Sequence, residues 1–293
     1  MRVKATRWRT ALLATALLVV GSASADPAAW RIAGSGGGEI VLLGSMHLLR
    51  ADDYPLPAAI AGFVDRAETI VMEVDFDDVD LVAQQRLILE KALLPQGTEL
   101  AQVIGAELYG VLEQDAADAG IDLKLLTRFE PWFLALSMLE VGMRKLGFES
   151  ERGIEQYVLG LSRGDGKEIL GLETIEFQIG IFDAMTPELQ REFLAQTLTE
   201  LDEAETTMNA MTDAWSAGEL ETLSDELLGS FDEFPGLYDT LVTERNEKWA
   251  GSLEGMLNDG KRYLVVVGAL HLVGTDSVID LMTARGHAVQ RIQ

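Results

Sequence analysis

Apolar residues follow two rhythms along this chain. Near both ends they form short β-branched runs that suit strands buried on both faces. Through the middle they recur at helical spacing. The run Leu264, Val265, Val266 and Val267 stops at Gly268. Ile40 to Leu43 stops in the same way at Gly44, and Thr69 to Val74 is a third such run. Glu168 to Leu172, opened by Gly166, predicts a further strand. Trp30 to Ile32 and Glu39 to Leu43 flank the glycine cluster Gly34 to Gly38, which is hairpin chemistry.

Helices are predicted from about Pro57 to Arg66, from Asp77 to Leu94 with a stop at Pro95-Gln96-Gly97, and from Thr98 onward. Gly105 to Ala119, Pro131 to Leu146 and Gly153 to Leu161 follow. One long acidic helix is expected over Pro187 to Ala217, its stripe formed by Leu189, Phe193, Leu194, Leu198 and Leu201. Glu219 to Leu228 and Tyr238 to Leu257 complete the helical middle. The chain closes on a strand, helix and strand at Tyr263–Val267, Asp276–Arg285 and Ala288–Ile292, a unit expected to be parallel and right-handed. The fold class expected is α/β. A mostly parallel central sheet is built from the N- and C-terminal segments, with a large helical insertion over about 98–257.

The first residues carry a different signal. Arg2, Lys4, Arg7 and Arg9 precede the apolar core Ala11 to Val20, and Ala23-Ser24-Ala25 is a small-residue cleavage site. The core is shorter than the roughly 20 residues that span a bilayer. Residues 1–25 therefore read as a signal peptide, and 26–293 as one α/β domain that is periplasmic or secreted. No later run is long enough for stable membrane insertion. The formal net charge of −25 repels nucleic acid and anionic lipid. With no cysteine in the chain, thiolate chemistry and cysteine metal sites are excluded. Composition leaves the oligomeric state open.

Two of the chain's three histidines share one setting: His47 stands three residues after Gly44, and His271 three residues after Gly268. In a parallel sheet, residues just beyond the strands lie at one rim, where ligands bind. Glu73 and Glu173 end strands there, Glu155 opens a helix that starts at that rim, and Arg245 lies near enough to reach it. Two histidines with a carboxylate form a common catalytic metal set, and added oxygen ligands suit manganese or cobalt as well as zinc. The metal set expected is His47, His271, Glu73 and Glu155. Glu73 and Glu173 are the candidate general bases, and Arg245 the candidate stabiliser of an oxyanion. His287 opens the last strand and belongs to the opposite rim. HExxH helices and glycine-flanked serine elbows are absent.

The phrases GSMH and GALHLVG resemble the paired Gly-x-x-His motifs of the TraB/PrgY/GumN family, which includes the Tiki proteases. The strand ending at Glu73, GIEQYVL at Gly153, GLETIEFQ at Gly171, WSAGEL at Trp215 and ERNEKWA at Glu244 agree in order. The resemblance implies an erythromycin-esterase-like α/β fold, related also to the haem-binding ChaN proteins. It also implies metal-dependent proteolysis with manganese or cobalt, resting on His47, His271 and Glu73, with Arg245 as a further family position. Glu155 stands where the family often has Asp. The expectation is a periplasmic metal-dependent hydrolase acting on a peptide or protein substrate. Its alternatives are a non-catalytic haem- or metal-binding protein of the ChaN type and a metal-free esterase-like hydrolase with a histidine base.

The leader makes one expectation testable at once. Protein recovered from the periplasmic fraction is expected to begin at Asp26. Intact-mass measurement checks this, and a mass that retains Met1 to Ala25 would defeat it.

Overall fold

The computed structural model describes residues 27–34, 36–77, 80–229, 231 and 235–292, so the signal peptide expected over residues 1–25 lies outside the described residues. Six strands form one sheet: β1 (Ala29–Ala33), β2 (Glu39–Ser45), β3 (Thr69–Val74), β4 (Glu168–Glu173), β5 (Arg262–Gly268) and β6 (Val289–Arg291). Their order is β4-β3-β5-β2-β1-β6. β4, β3, β5 and β2 are mutually parallel, and β1 runs antiparallel to both of its neighbours. The fold is α/β, with the sheet built largely from the two ends of the chain. β5 is buried at every residue from Tyr263 to Gly268, as its β-branched run requires, so both of its faces are covered.

The helices are α1 (Ala58–Arg66), α2 (Leu81–Ala92), α3 (Leu100–Ile104), α4 (Ala106–Ala119), α5 (Pro131–Lys145), α6 (Ile154–Asp165) and α7 (Ile175–Asp183). They continue with α8 (Pro187–Leu201), α9 (Ala204–Ala217), α10 (Leu220–Gly229), α11 (Pro235–Tyr238), α12 (Glu244–Leu257) and α13 (Val278–Ala284). Ile60, Phe63 and Val64 of α1, Val158 and Leu159 of α6, Trp249 and Leu253 of α12 and Met282 of α13 join the sheet in one core. A second core, with Leu112, Leu134, Met138, Leu194 and Leu198, holds α4, α5 and α8 together. No helix among the described residues is long and apolar enough to cross a membrane.

Three sequence expectations need correction. The single helix over Pro187–Ala217 is two, α8 and α9, separated by Asp202 and Glu203. The break lets each half serve a different core: Leu194 and Leu198 pack in the helical one, and Ala214 and Trp215 against the sheet. The helix expected from Asp77 begins only at Leu81, because the Asp80 carboxylate caps it by accepting from the Val82 and Ala83 N–H groups. Its end is earlier too, since Leu93 bridges Phe129. The last strand runs in the same direction as β5 but is not its neighbour. The crossover passes β2 and β1, and β6 pairs with β1 at the far edge.

The segment after β2 is clamped from the side. Leu49 and Glu149 exchange backbone hydrogen bonds, and the Ile154 N–H donates to the Met46 carbonyl at 3.1 Å. Gly153 sits so close that a Cβ would run into the His47 carbonyl oxygen. Gly153→Ala is therefore expected to displace the His47 loop and destabilise the protein by about 1–3 kcal/mol, the usual cost of overpacking. A lower urea midpoint at unchanged slope checks it.

Candidate functional site

The carboxyl ends of the parallel strands carry a connected polar cluster, as open α/β sheets favour. Ser45 closes β2 and His47 lies two residues beyond it. Glu73 is the last residue but one of β3, and Glu173 ends β4. Gly268 ends β5, and a short 3-10 turn, Ala269–Leu272, carries His271. Glu155 sits in the first turn of α6, Gln178 on α7, and Arg245, Asn246 and Trp249 on α12. A π-helical turn over Asp239–Thr243 precedes α12, and the Leu241 carbonyl accepts from Arg245 Nη1 at 2.9 Å.

Glu73 is the centre. Its Oε1 accepts from the Gly268 N–H at 2.9 Å. Its Oε2 accepts from Arg245 Nη2 at 2.6 Å and Gln178 Nε2 at 3.1 Å. Both imidazoles present Nε2 to Oε1, His47 at 3.9 Å and His271 at 4.0 Å. Gly268 is required here: a Cβ would come within 2.9 Å of His47 Nε2 and 3.4 Å of Glu73 Oε1.

Each imidazole is held from behind through Nδ1. For His271 the tautomer follows from the amide next to it. Asn246 Nδ2 donates to the Asp276 carbonyl at 2.7 Å, so Oδ1 faces His271 Nδ1, also at 2.7 Å. That nitrogen carries the proton, and Nε2 accepts from Arg245 Nη1 at 3.1 Å. Burial, aided by Arg245 and opposed by Glu73, pushes His271 down to about 3, so it is neutral at ordinary pH. His47 Nδ1 lies 2.7 Å from Glu155 Oε1, which also accepts from the Ser45 hydroxyl. The Glu155 charge, opposed by partial burial, raises His47 to about 9. His47 keeps an open outer face, 59% of its side chain, whereas His271 is buried against the Trp249 ring at a centroid distance of 4.4 Å.

Burial works against the Glu73 carboxylate, but the imidazoles, Arg245 and the Gly268 N–H outweigh it and lower Glu73 to about 2. Burial also works against Arg245, and Glu73 and Glu173 outweigh it, keeping the guanidinium charged.

Arg245 Nε donates to Glu173 at 3.1 Å, Nη1 to Leu241 and His271, and Nη2 to Glu73, with Glu173 Oε2 also 3.0 Å away. All three guanidinium nitrogens thus donate within the cluster. Glu173 holds Arg245 and accepts from Trp249 Nε1 at 3.0 Å. His287 pairs instead with Glu254 at 3.2 Å, away from this rim. Asn246, Ser45, Gln178 and Trp249 belong to the cluster although the sequence pattern did not single them out. The ERNEKWA phrase carried two of them, one and four residues after Arg245.

A cavity of about 370 Å³ opens onto His47, Glu73 and Glu155, with Phe76, Gln156 and Gln178 on its walls. The donor types suit a divalent cation, two imidazoles tied back through Nδ1 and a carboxylate facing one another, with His271 Nε2 exchanging its bond from Arg245 Nη1 for the metal. With both imidazoles neutral, Glu73, Glu155 and Glu173 stand against Arg245 alone, leaving two negative charges unbalanced. The spacing is wider than a closed cage, and among the described residues no group of three His, Asp or Glu side chains stands ready around a metal position.

Comparison with known proteins covers most of the chain. The model of the TraB/PrgY/gumN family matches residues 28–291. Uncharacterized protein YbaP of Escherichia coli (strain K12) is 27% identical over 241 residues, covering 82% of this chain and 86% of that protein. The protein of the same name from Shigella flexneri matches equally. An uncharacterized protein of Treponema pallidum (strain Nichols) is 24% identical over 276 residues, covering 87% of this chain and 80% of its own. No solved structure matches.

In metal-free protein the two site histidines are expected to titrate at opposite extremes. His47 should hold its proton well above pH 6.5, and Glu155→Gln should bring it back toward 6.5. His271 should stay neutral down to acid pH. Linkage gives the sign: the raised His47 contributes stability that is full below about pH 6.5 and is lost as pH rises through about 9. Imidazole NMR titration of both proteins, with urea midpoints across pH 6 to 10, checks this.

Proposed function

The chain belongs to the TraB/PrgY/gumN family, and from that membership and the rim geometry we propose that it is an exported metal-dependent hydrolase acting on peptide bonds. One observation carries the reading: both Gly-x-x-His imidazoles are fixed through Nδ1 so that both Nε2 atoms face Glu73 Oε1. His47, His271 and Glu73 would hold the cation, manganese, cobalt or zinc. When bound, it would lower the pKa of a water and polarise the scissile carbonyl.

The chain's own residues supply the rest. Glu155 accepts the His47 Nδ1 proton and so presents Nε2 as a lone pair, while Ser45 fixes the carboxylate. Asn246 does the same for His271. In this reading Glu155 is a positioning residue rather than a ligand. Arg245, locked by Glu173, holds Glu73 Oε2 and keeps Oε1 turned to the imidazoles. Gln178 and Gln156 offer neutral amides to a substrate in the cavity, and Phe76 offers an apolar wall.

A second reading has an observation of its own. The His47–Glu155 pair alone is a base with its orienting carboxylate, the arrangement of metal-free hydrolases. A ChaN-type haem would find one open imidazole, His47, because His271 is buried.

Chelated protein is expected to lose hydrolysis of a fluorogenic peptide library and to regain it with manganese, cobalt or zinc. His47→Ala and His271→Ala should each weaken metal binding by about tenfold to a hundredfold, with the double variant little worse because the residues act as one unit. Isothermal titration and activity assays check this. Activity indifferent to chelator and rising toward pH 9 would replace the metal with the His47–Glu155 base.

A further inference from the structure

The sheet has two edges, and they are treated differently. At one edge β6 is only three residues long, carries Gln290 and Arg291, and packs beside α13. At the other, β4 is six residues long and pairs on one side only, with β3. Among the described residues no other strand covers its outer side. Glu168, Leu170 and Gly171 are exposed. Natural sheets blunt such an edge with lysine, proline or a covering loop, since a free row of N–H and C=O groups recruits another strand. The stretch Glu168-Ile169-Leu170-Gly171-Leu172-Glu173 has neither lysine nor proline.

Three exposed large apolar side chains lie on β4 or just beyond the strand ends at this rim. Leu170, 36% exposed, is on β4, and Phe177, also 36%, is on the helix that follows it. Phe76, 37% exposed, lies two residues beyond β3 and lines the catalytic cavity. β4 ends at Glu173, which grips Arg245, and so the free edge runs straight into the polar cluster.

We propose that the outer edge of β4 is the docking strand for an extended polypeptide, which adds to the sheet as a seventh strand and passes over the rim into the cavity at Glu73. Its role in delivering substrate rests on the hydrolase reading above. Backbone pairing recognises the extended form rather than one sequence, and the apolar fringe selects alternate side chains. The net charge of −25 favours a segment poor in acidic residues. The geometry also sets a distance. Glu73 lies on the second strand in, about two strand spacings or roughly 10 Å from the docked strand, which an extended chain crosses in about three residues. The reacting bond therefore lies about three residues beyond the paired segment.

The test reads binding on metal-free protein, so turnover does not enter. The probe is a ten-residue peptide of alternating threonine and valine with a lysine at each end. It should slow amide hydrogen exchange at residues 168–172. N-methylation of one alternate set of its amides should weaken binding at least about tenfold, the loss expected for one or two hydrogen bonds, while methylation of the other set leaves it near the parent. Leu170→Lys should weaken binding with an unchanged circular dichroism spectrum, and Gln290→Lys on the opposite edge should not. Unchanged exchange at 168–172 overturns the proposal, as do equal affinities of the two methylated peptides. Protection of β4 that grows with protein concentration, without peptide, also overturns it and assigns the edge to a second copy. Docking without any cleavage under metal add-back would leave the edge assignment standing and remove the hydrolase.

Discussion

The rim depends on one guanidinium. Three carboxylates, Glu73, Glu155 and Glu173, are drawn below the surface of an acidic protein, and buried charges persist only when paired and hydrogen-bonded. Arg245 answers two of them at once and reaches a main-chain carbonyl and an imidazole as well. In doing so it joins β3, β4, the turn after β5 and its own helix. A lysine could not replace it, because a point charge has no planar fork to serve four acceptors. The Trp249 ring beneath it, 4.7 Å from the guanidinium carbon, excludes water from the joint and strengthens each contact.

Around that joint the two histidines differ in what they can do. His271 is buried, neutral and held by the Asn246 amide and the Arg245 guanidinium, so its environment is constant over a wide pH range. His47 is half open and charged by Glu155. Identical local phrases thus give opposite electrostatics, because the neighbour of one is an amide oxygen and of the other a carboxylate. The asymmetry gives the cavity one accessible imidazole and one fixed reference behind Glu73.

Much of this was legible in the sequence. The short apolar runs, two of them ending in glycine, specified parallel strands whose ends share a rim, and that alone gathered His47, Glu73, Glu173 and His271. Glu155 and Arg245 followed from the antiparallel return of helices. What a linear pattern could not show was which acceptor each donor meets. Asn246 looks like any helix-surface amide until its partner Asp276, thirty residues later, fixes its orientation. Arg245 read as an oxyanion stabiliser because a sequence shows a charge but not the acceptors that it meets. The break between α8 and α9 was hidden because acidic residues suit an exposed helix as well as a turn, and only the two separate cores distinguish them.

The adjacency of β2 and β5 has a consequence for the order in which the molecule comes into being. Leu42 pairs with Val265, so the central pair joins residues from opposite ends of the chain. A polypeptide emerging N-terminus first holds β2 without its parallel neighbour until Arg262–Gly268 has appeared. The helical core of α4, α5 and α8 needs no such wait, since its contacts lie within the middle of the chain. Closing the long loop is the slow, entropically opposed step, and it is the one that brings His47 and His271 together. The site is therefore completed only once His271 has emerged, and a chain that stops short of it holds His47 and Glu73 without their partner.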